Sequence, residues 1–278
     1  KTPTFSLHFN NKEDYVGGAG IVSKHLDAAG AKVIFSTVLG NDNLKKFVLN
    51  QFKKTKIKTN VFIDQTRPTT NKNVFIASDY RLLKVDTLDN RPISNEIIDY
   101  FCSSLKKDKS DAIVFSDFRH GIFNQISTQK LTKTISKKVF KVADSQVASR
   151  WGNITDFKGF DLITPNERES RFALANQDAT VGQLSQLLYD NCKYKHLILK
   201  LGSKGVFCNT YKNKLHNSYF SLDTFVNNLI DPVGAGDALL AYATLSMIAS
   251  KSLVISSILG SIAAACECEY DGNIPVKT

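Results

Sequence analysis

The spacing of apolar residues along the chain alternates, from segment to segment, between a pattern typical of helices and a pattern typical of strands. Apolar residues three or four apart predict helices, and short apolar runs between turn signals predict strands. This order predicts an α/β fold with a doubly wound, mainly parallel sheet and helices on both faces. The predicted helices cover residues 20–29, 94–105, 125–137 and 181–190, with others after 42 and near 166, and the predicted strands cover residues 31–38, 112–116, 141–143, 162–164 and 197–200.

The stretch at residues 60–86 interrupts this alternation. Its segments NVFID, TTNKNVFIAS and RLLKVD predict two or three antiparallel strands rather than another βα unit. A weaker alternation predicts one more strand between residues 4 and 9. We therefore expect a small β appendage, with strands at about 3–10 and 60–86, on a single domain that covers residues 1–278.

The most apolar part of the chain, residues 238–266, follows the heptapeptide DPVGAGD at 231–237. Gly234, Ala235 and Gly236 allow a tight turn, and a helix starting near Ala235 would leave its first N–H groups unpaired. These amides predict a site for phosphate or another anion. The position of Asp237 beside that site predicts that its carboxylate accepts a proton from a nucleophile. Lys251 divides the apolar part, which favours two buried helices over a membrane span.

Four further polar groups follow predicted strands, where ligands of such sheets bind. They are Asp117, Asp144, residues 166–169, and the loop from Gly202 to Gly205. Asn166 and Glu169 would share a helix face and could hold a hydrated Mg²⁺. An ordinary helix cap with Glu169 as its capping-box partner explains the same spacing, and the sequence leaves both alternatives open.

The overall composition is that of a cytoplasmic globular protein with small anionic ligands. The formal net charge of +10 comes mainly from lysines spread along 278 residues, without an arginine-rich segment, which argues against nucleic-acid binding. Five cysteines show no zinc-binding spacing, and their odd number is typical of a reducing compartment. The five histidines are scattered and indicate no metal cluster.

Together, these segments resemble the ribokinase-like (pfkB) carbohydrate kinases over nearly the whole chain. DPVGAGD is similar to the family's C-terminal signature, and residues 166–169 are similar to its N-x-x-E motif. The segments Gly17-Gly18-Ala19, AGAKVIFSTVLGND and LKLGSKG match in order and spacing. Within the family, the kinase domain of bacterial heptose-phosphate kinases resembles this chain at RPTTNK (67–72), RLLKVD (81–86), FSD (115–117) and LITPN (162–166).

The resemblance implies ATP-dependent phosphorylation of a sugar or sugar-phosphate hydroxyl, with Mg²⁺ and with Asp237 as base. The amides of residues 234–236 would stabilise the transferring phosphoryl group. The β appendage would form a lid. Its apolar residues 61–63 and 74–76 predict, as the resemblance does, that two lids join two chains into a homodimer. The alternative is that these residues cover the main domain of their own chain. The implied contacts with ATP and Mg²⁺ come from Asn166, Glu169, Lys200, Gly202 and Gly205, and those with the sugar come from Gly17, Gly18, Asp117 and Asp144. Lys200 could equally be solvated.

Two departures concern the sugar side. Ile21 stands where the family usually has an Asn, and the sequence begins after the family's first core strand with its sugar-binding Asp. Either the sequence is a fragment, or the protein lacks that acid. The alternatives to a sugar kinase are a nucleoside kinase and a family member that binds sugar phosphate or nucleotide without turnover.

Overall fold

A computed structural model describes residues 6–77, 80–146, 153–213 and 216–277. The helices are α1 (Ala19–Ala28), α2 (Asn43–Lys53), α3 (Asn95–Lys107), α4 (Gln125–Thr134), α5 (Glu167–Ala173), α6 (Val181–Cys192), α7 (Ala235–Ser250) and α8 (Leu253–Cys268). The strands are β1 (Ile34–Gly40), β2 (Lys58–Asp64), β3 (Asn71–Ala77), β4 (Tyr80–Thr87), β5 (Ala112–Asp117), β6 (Phe140–Ser145), β7 (Leu162–Ile163), β8 (His196–Lys200), β9 (Val206–Asn213) and β10 (His216–Leu222).

The main sheet has six strands in the order β10-β9-β8-β7-β6-β5. Strands β5 to β8 are parallel, and β9 and β10 continue the sheet as antiparallel strands. Successive side chains point to opposite faces, so Leu162 packs in one core cluster with α1, α7 and α8, whereas Ile163 packs in another with α3, α4 and α6. The predicted α/β sheet with helices on both faces is confirmed.

Strand β2 is not part of the appendage, which corrects the prediction for residues 60–64. It pairs in parallel with β1 from Ile34↔Lys58 to Gly40↔Asp64, separately from the main sheet. Parallel strands need a crossover of about a dozen residues, and helix α2 supplies it. A third core cluster, which includes Phe35, Phe52 and Ile57, fixes this βαβ unit.

The appendage is a two-stranded antiparallel hairpin of β3 and β4. The strand predicted near the start is wrong for the part that the structure describes, since residues 6–10 form no strand. Leu7 and Phe9 are 56% and 76% exposed, and a short alternating run without a partner strand is not stable alone. Residues 3–5 of that prediction lie outside the described residues.

The apolar segment after Asp237 forms two helices, as predicted. Lys251 ends α7 in the left-handed conformation with φ of 56°, and the Ser252 side chain caps α8. The two helices pack against each other on one face of the main sheet. In the described part of the chain, every helix is too short or too polar to cross a lipid bilayer.

Candidate active site

The carboxyl ends of the parallel strands meet at one edge of the main sheet. Asp117 ends β5, Asp144 is the penultimate residue of β6, and Lys200 ends β8. Asp117 lies opposite Ser145 in the register, and a parallel bridge pairs Asn166, which follows β7, with Lys200. The strand order therefore brings together residues that are far apart in the sequence.

Lys200 is held inside this edge by an ion pair. Its Nζ donates to Asp144 Oδ1 at 2.9 Å, and Thr164 Oγ1 donates to the same oxygen at 3.0 Å. Burial lowers the pKa of Lys200, but Asp144, Glu169 and Asp237 outweigh burial and raise it on balance, so the amine stays protonated. The solvated alternative for Lys200 is wrong, and its contact with a phosphate stays a prediction.

The N-terminus of α7 faces Lys200 through a loop that requires glycine. Gly234 has φ of +93°, and a Cβ there would lie 2.6 Å from Glu267 Oε1. A Cβ on Gly236 would lie 3.3 Å from Lys200 Nζ. The N–H of Gly236 donates to none of the described residues. An unpaired amide at the positive end of a 16-residue helix, next to an ammonium group, suits an anion.

Asp237 lies in the first turn of α7 and is buried. Its Oδ1 contacts no hydrogen-bond donor of the described chain. Burial and the charge of Asp144 raise its pKa to about 7, against the opposing effect of Lys200 and with smaller contributions from Glu267 and Glu169. This carboxyl group therefore departs from the ordinary aspartate pKa near 4. A buried carboxyl group that titrates near neutral pH is suited to general-base work.

Asn166 and Glu169 form a capping box at the start of α5. Glu169 N donates to Asn166 Oδ1 at 2.7 Å, and Asn166 N donates to Glu169 Oε2 at 2.8 Å. The helix cap that the sequence left open as an alternative is therefore present.

The surroundings also fit a hydrated Mg²⁺. In the described residues, no three His, Cys, Asp or Glu side chains are close enough to bind a bare metal ion. However, Asp144, Glu169 and Asp237 all act on Lys200, so three carboxyl groups accompany a single ammonium. Mg²⁺ usually keeps several waters and takes one or two carboxylates, which this set allows.

Both predicted glycines of the loop after β8 have a positive φ, and Gly205 also has no room for a side chain. Gly202 and Gly205 have φ of +62° and +79°. A Cβ on Gly205 would lie 2.0 Å from Leu222 O, so no larger residue fits between the loop and the end of β10. The two glycines thus shape the loop beside Lys200.

The predicted sugar-side residues divide into two groups. Gly18, with φ of +59°, faces the Phe118 ring, and a Cβ on Gly17 would lie 3.2 Å from Asn273 Nδ2. Asp117 instead accepts hydrogen bonds from its own loop and from the neighbouring strand β6. Its carboxylate accepts from Arg119 N at 2.8 Å, from Arg119 Nη1 at 3.1 Å and from Ser145 Oγ at 2.9 Å.

Several residues of the site carry no local sequence signal. Glu267, on α8, lies against Gly234, and its Oε1 is buried without a donor from the described chain. Burial, and then Asp231, raise the pKa of Glu267 to about 7. From the hairpin, Arg81 Nη2 donates to Asp231 Oδ1 at 2.8 Å. These contacts join parts of the chain that only the fold brings together, so spacing could not reveal them.

The sequence is related to known carbohydrate kinases. A family model described as pfkB family carbohydrate kinase matches residues 6–278. The bifunctional protein HldE of Sulfurimonas denitrificans is 28% identical over 283 residues, covering 100% of this chain and 57% of that protein. HldE of Helicobacter pylori strain HPAG1 is 26% identical over 273 residues, covering 95% and 57%. The chain spans little more than half the length of these curated relatives.

Solved structures show the same fold. Phosphofructokinase-2 of Escherichia coli in complex with potassium has a TM-score of 0.75 at 14% identity, with 92% of this chain and 82% of that chain covered. Ribokinase of Arabidopsis thaliana complexed with ribose and ATP has a TM-score of 0.70 at 19% identity, with 93% and 84% covered. At these identities the likeness concerns the fold alone, and the ribokinase-like fold that the sequence predicts is confirmed.

Proposed function

The chain belongs to the pfkB family of ATP-dependent carbohydrate kinases, and from this premise we propose that it transfers the γ-phosphoryl group of ATP to a sugar-phosphate hydroxyl, with Asp237 as the base. The observation that carries the proposal is the buried carboxyl group of Asp237, which lacks a donor from the described chain and lies beside the unpaired amide of Gly236. A base and an anion site in the same helical turn are the two parts that phosphoryl transfer requires.

Asp237 would take the proton of the acceptor hydroxyl as the bond to phosphorus forms. General-base help of this kind contributes roughly 10²–10⁴-fold. The amides at Gly234, Ala235 and Gly236 would stabilise the negative charge on the transferring group, assisted by the dipole of α7. Lys200, protonated and packed against Gly236, adds a fixed positive charge beneath that group.

ATP would lie along the loop of Gly202 and Gly205, with its phosphates directed toward α7. Asn166 and Glu169 would hold Mg²⁺ through water at the start of α5. When bound, Mg²⁺ would neutralise charge on the ATP phosphates. The capping box itself fixes the two side chains, so they serve as a rigid support for the water shell.

A heptose phosphate is the acceptor that we favour. The HldE proteins that match over the whole chain, and the RPTTNK and RLLKVD segments, support this choice. The glycine pair Gly17-Gly18 lies against Phe118 and Asn273. Because glycine has no side chain, the main chain there would be able to approach the sugar. Asp144 and Asp117 would act from the strand ends, with Asp117 ordering its own loop.

We also propose that the protein acts as a homodimer in the cytoplasm. The register of the hairpin places Phe75, Leu83 and Val85 on one face. They are 50%, 57% and 43% exposed. A second copy of the hairpin would cover such a two-stranded ribbon, which is marginally stable alone. All five cysteines are described and free of disulfides, which agrees with a reducing compartment.

A screen of ATP consumption tests the proposal. Purified protein is offered sugars, heptose phosphates and nucleosides in turn, with Mg²⁺ present. We expect turnover to depend on a sugar phosphate and to exceed ATP hydrolysis without acceptor. Turnover with nucleosides alone would support the nucleoside-kinase alternative, and binding of a sugar phosphate without turnover would support a non-catalytic role.

A further inference from the structure

The β3–β4 hairpin presents charged side chains on the face opposite to its apolar one. In the antiparallel register, Lys72 pairs with Asp86 and Val74 pairs with Lys84. Residues directly opposite each other, and residues two apart on one strand, share a face. Lys72, Lys84 and Asp86 therefore lie together on one face of the hairpin.

That face is directed toward the site of the proposed chemistry. Lys72 Nζ lies over the Phe118 ring, 5.9 Å from its centroid. The same ring lies next to Gly18. The charge of Asp237 acts on the pKa of Lys72, which desolvation lowers most strongly. Lys72 is nevertheless accessible to solvent. The Lys72 ammonium group is thus partly desolvated by the protein and still within reach of a ligand, and we call the region of Lys72, Lys84, Phe118 and His120 the cleft.

Lys72 makes no ion pair with a described carboxylate, although the charges of Asp86 and Asp237 act on it from a distance. Lys84 Nζ lies 3.3 Å from Asp86 Oδ2, which balances one of the two lysines. His120 is neutral at physiological pH because burial, with Lys72 and Lys84, lowers its pKa to about 4. The nearby arginines are already paired, Arg119 with Asp117 and Arg81 with Asp231.

His120 adds an uncharged acceptor to the cleft. Its Nδ1 lies 3.1 Å from Asn90 Oδ1, so the proton is placed on Nδ1 and Nε2 carries a lone pair. Nε2 is buried and has no partner in the described part of the chain. A hydroxyl group of a ligand would satisfy it.

We propose that Lys72 and Lys84 bind the phosphate group of a phosphorylated sugar acceptor, with His120 accepting a hydrogen bond from a sugar hydroxyl and Phe118 covering the apolar face of the ring. The inference rests on the proposed function and names the residues that select a sugar phosphate over a free sugar. A phosphate dianion meets two ammonium groups, for which lysine acts as a point charge. ATP would lie on the other side of Asp237, since Lys72 contacts Phe118 whereas Gly236 faces Lys200.

Calorimetry without ATP tests the subsite separately from turnover. A heptose phosphate and the same heptose without its phosphate are titrated into wild type, Lys72→Gln, Lys84→Gln and the double variant. We expect wild type to favour the phosphate ester, and each single substitution to weaken its binding by about tenfold, as expected for one charge-assisted contact. Lys72→Arg should restore most of the preference. Lys53→Gln, at the exposed end of α2, is the matched control and should keep the full preference.

Steady-state kinetics separates this subsite from the kinase proposal. The ratio of KM for the heptose to KM for its phosphate should collapse in the double variant, while KM for ATP changes little. Equal losses for both sugars, or a loss confined to ATP, would overturn the subsite and leave the kinase proposal intact. Wild-type binding that prefers the ester, together with no transfer to any acceptor, would support the subsite and contradict the kinase proposal.

Discussion

At the scale of single residues, the environment of Asp237 sets the pH range in which it can accept a proton. Burial and Asp144 raise its pKa to about 7, and Lys200 limits this rise. A general base works only when it is deprotonated, so the active fraction of the free enzyme grows as pH rises through this value.

We therefore expect kcat/KM for the sugar to increase up to about tenfold per pH unit below a pH of about 7 and to level off above it. A pH–rate profile at saturating ATP and Mg²⁺ provides the measurement. Glu267 also has a pKa of about 7, so Glu267→Gln is the control. It should keep an inflection, moved slightly to lower pH because the charge of Glu267 contributes to raising the pKa of Asp237. A profile that is flat through neutral pH, or an inflection that disappears in Glu267→Gln, would contradict Asp237 as the titrating base.

The same burial makes ionised Asp237 unfavourable for folding. Its pKa is about 7 in the folded state and 3.8 as the ordinary value, so the folded state binds the extra proton between these limits. Stability therefore falls as pH rises from about 4 to about 7, by up to about 1.4 kcal/mol per pH unit. Asp237→Asn removes this term and should be more stable than wild type at pH 8, with a much smaller difference at pH 4.5. Urea unfolding at the two pH values measures it, and a gain independent of pH would contradict burial of the charge as its cause.

At the scale of elements, Glu169 caps helix α5, and one substitution separates this role from the proposed binding of Mg²⁺. Gln also completes a capping box, so Glu169→Gln should leave the melting temperature near that of wild type. It removes the negative charge, and we expect a several-fold higher Mg²⁺ concentration for half-maximal activity. Asn166→Ala removes the cap itself and should destabilise the protein by about 0.5–2 kcal/mol. A lower melting temperature of Glu169→Gln with an unchanged Mg²⁺ requirement would show that Glu169 only caps the helix.

Most elements could be predicted because their signals are local. Lys251 between two apolar segments predicts the break between α7 and α8, and Gly30, with φ of +89°, follows the end of α1 where expected. Strand β2 could be predicted as a strand but not placed, because NVFID suits either a hairpin or a parallel strand. Its pairing depends on β1, and a sequence pattern within residues 58–64 holds no information about that partner.

The candidate site could be predicted in its main-chain parts and in Asp237, but not in its long-range contacts. The turn at Gly234 and the cap at Asn166 are properties of short segments. The pKa of Asp237 depends on Asp144 and Lys200, which belong to other strands, so a single segment suggests only an ordinary carboxyl group. The ion pair between Arg81 and Asp231 joins residues 150 positions apart, and no sequence pattern indicates it.

At the scale of the whole molecule, the hairpin would link catalysis to the proposed dimer. Its charged face lies over the site, and its apolar face, with Phe75, points away from it. We expect a dimer at micromolar concentration in sedimentation velocity, and Phe75→Asp should give a monomer. Ile126→Asp is the control, because Ile126 is 65% exposed and belongs to α4 rather than to the hairpin. A monomeric wild type, or a dimer that survives Phe75→Asp, would contradict the hairpin interface.

The central claim concerns Asp237 as the base of a phosphoryl transfer, and one comparison tests it most directly. Phosphoryl transfer from ATP to the best acceptor is measured at pH 8 for wild type and Asp237→Asn, with ADP affinity determined for both. Asn keeps the size of the side chain and cannot accept the proton, so kcat should fall by about 10²–10⁴-fold while ADP affinity stays near wild type. Retention of more than about a tenth of wild-type kcat would contradict the claim.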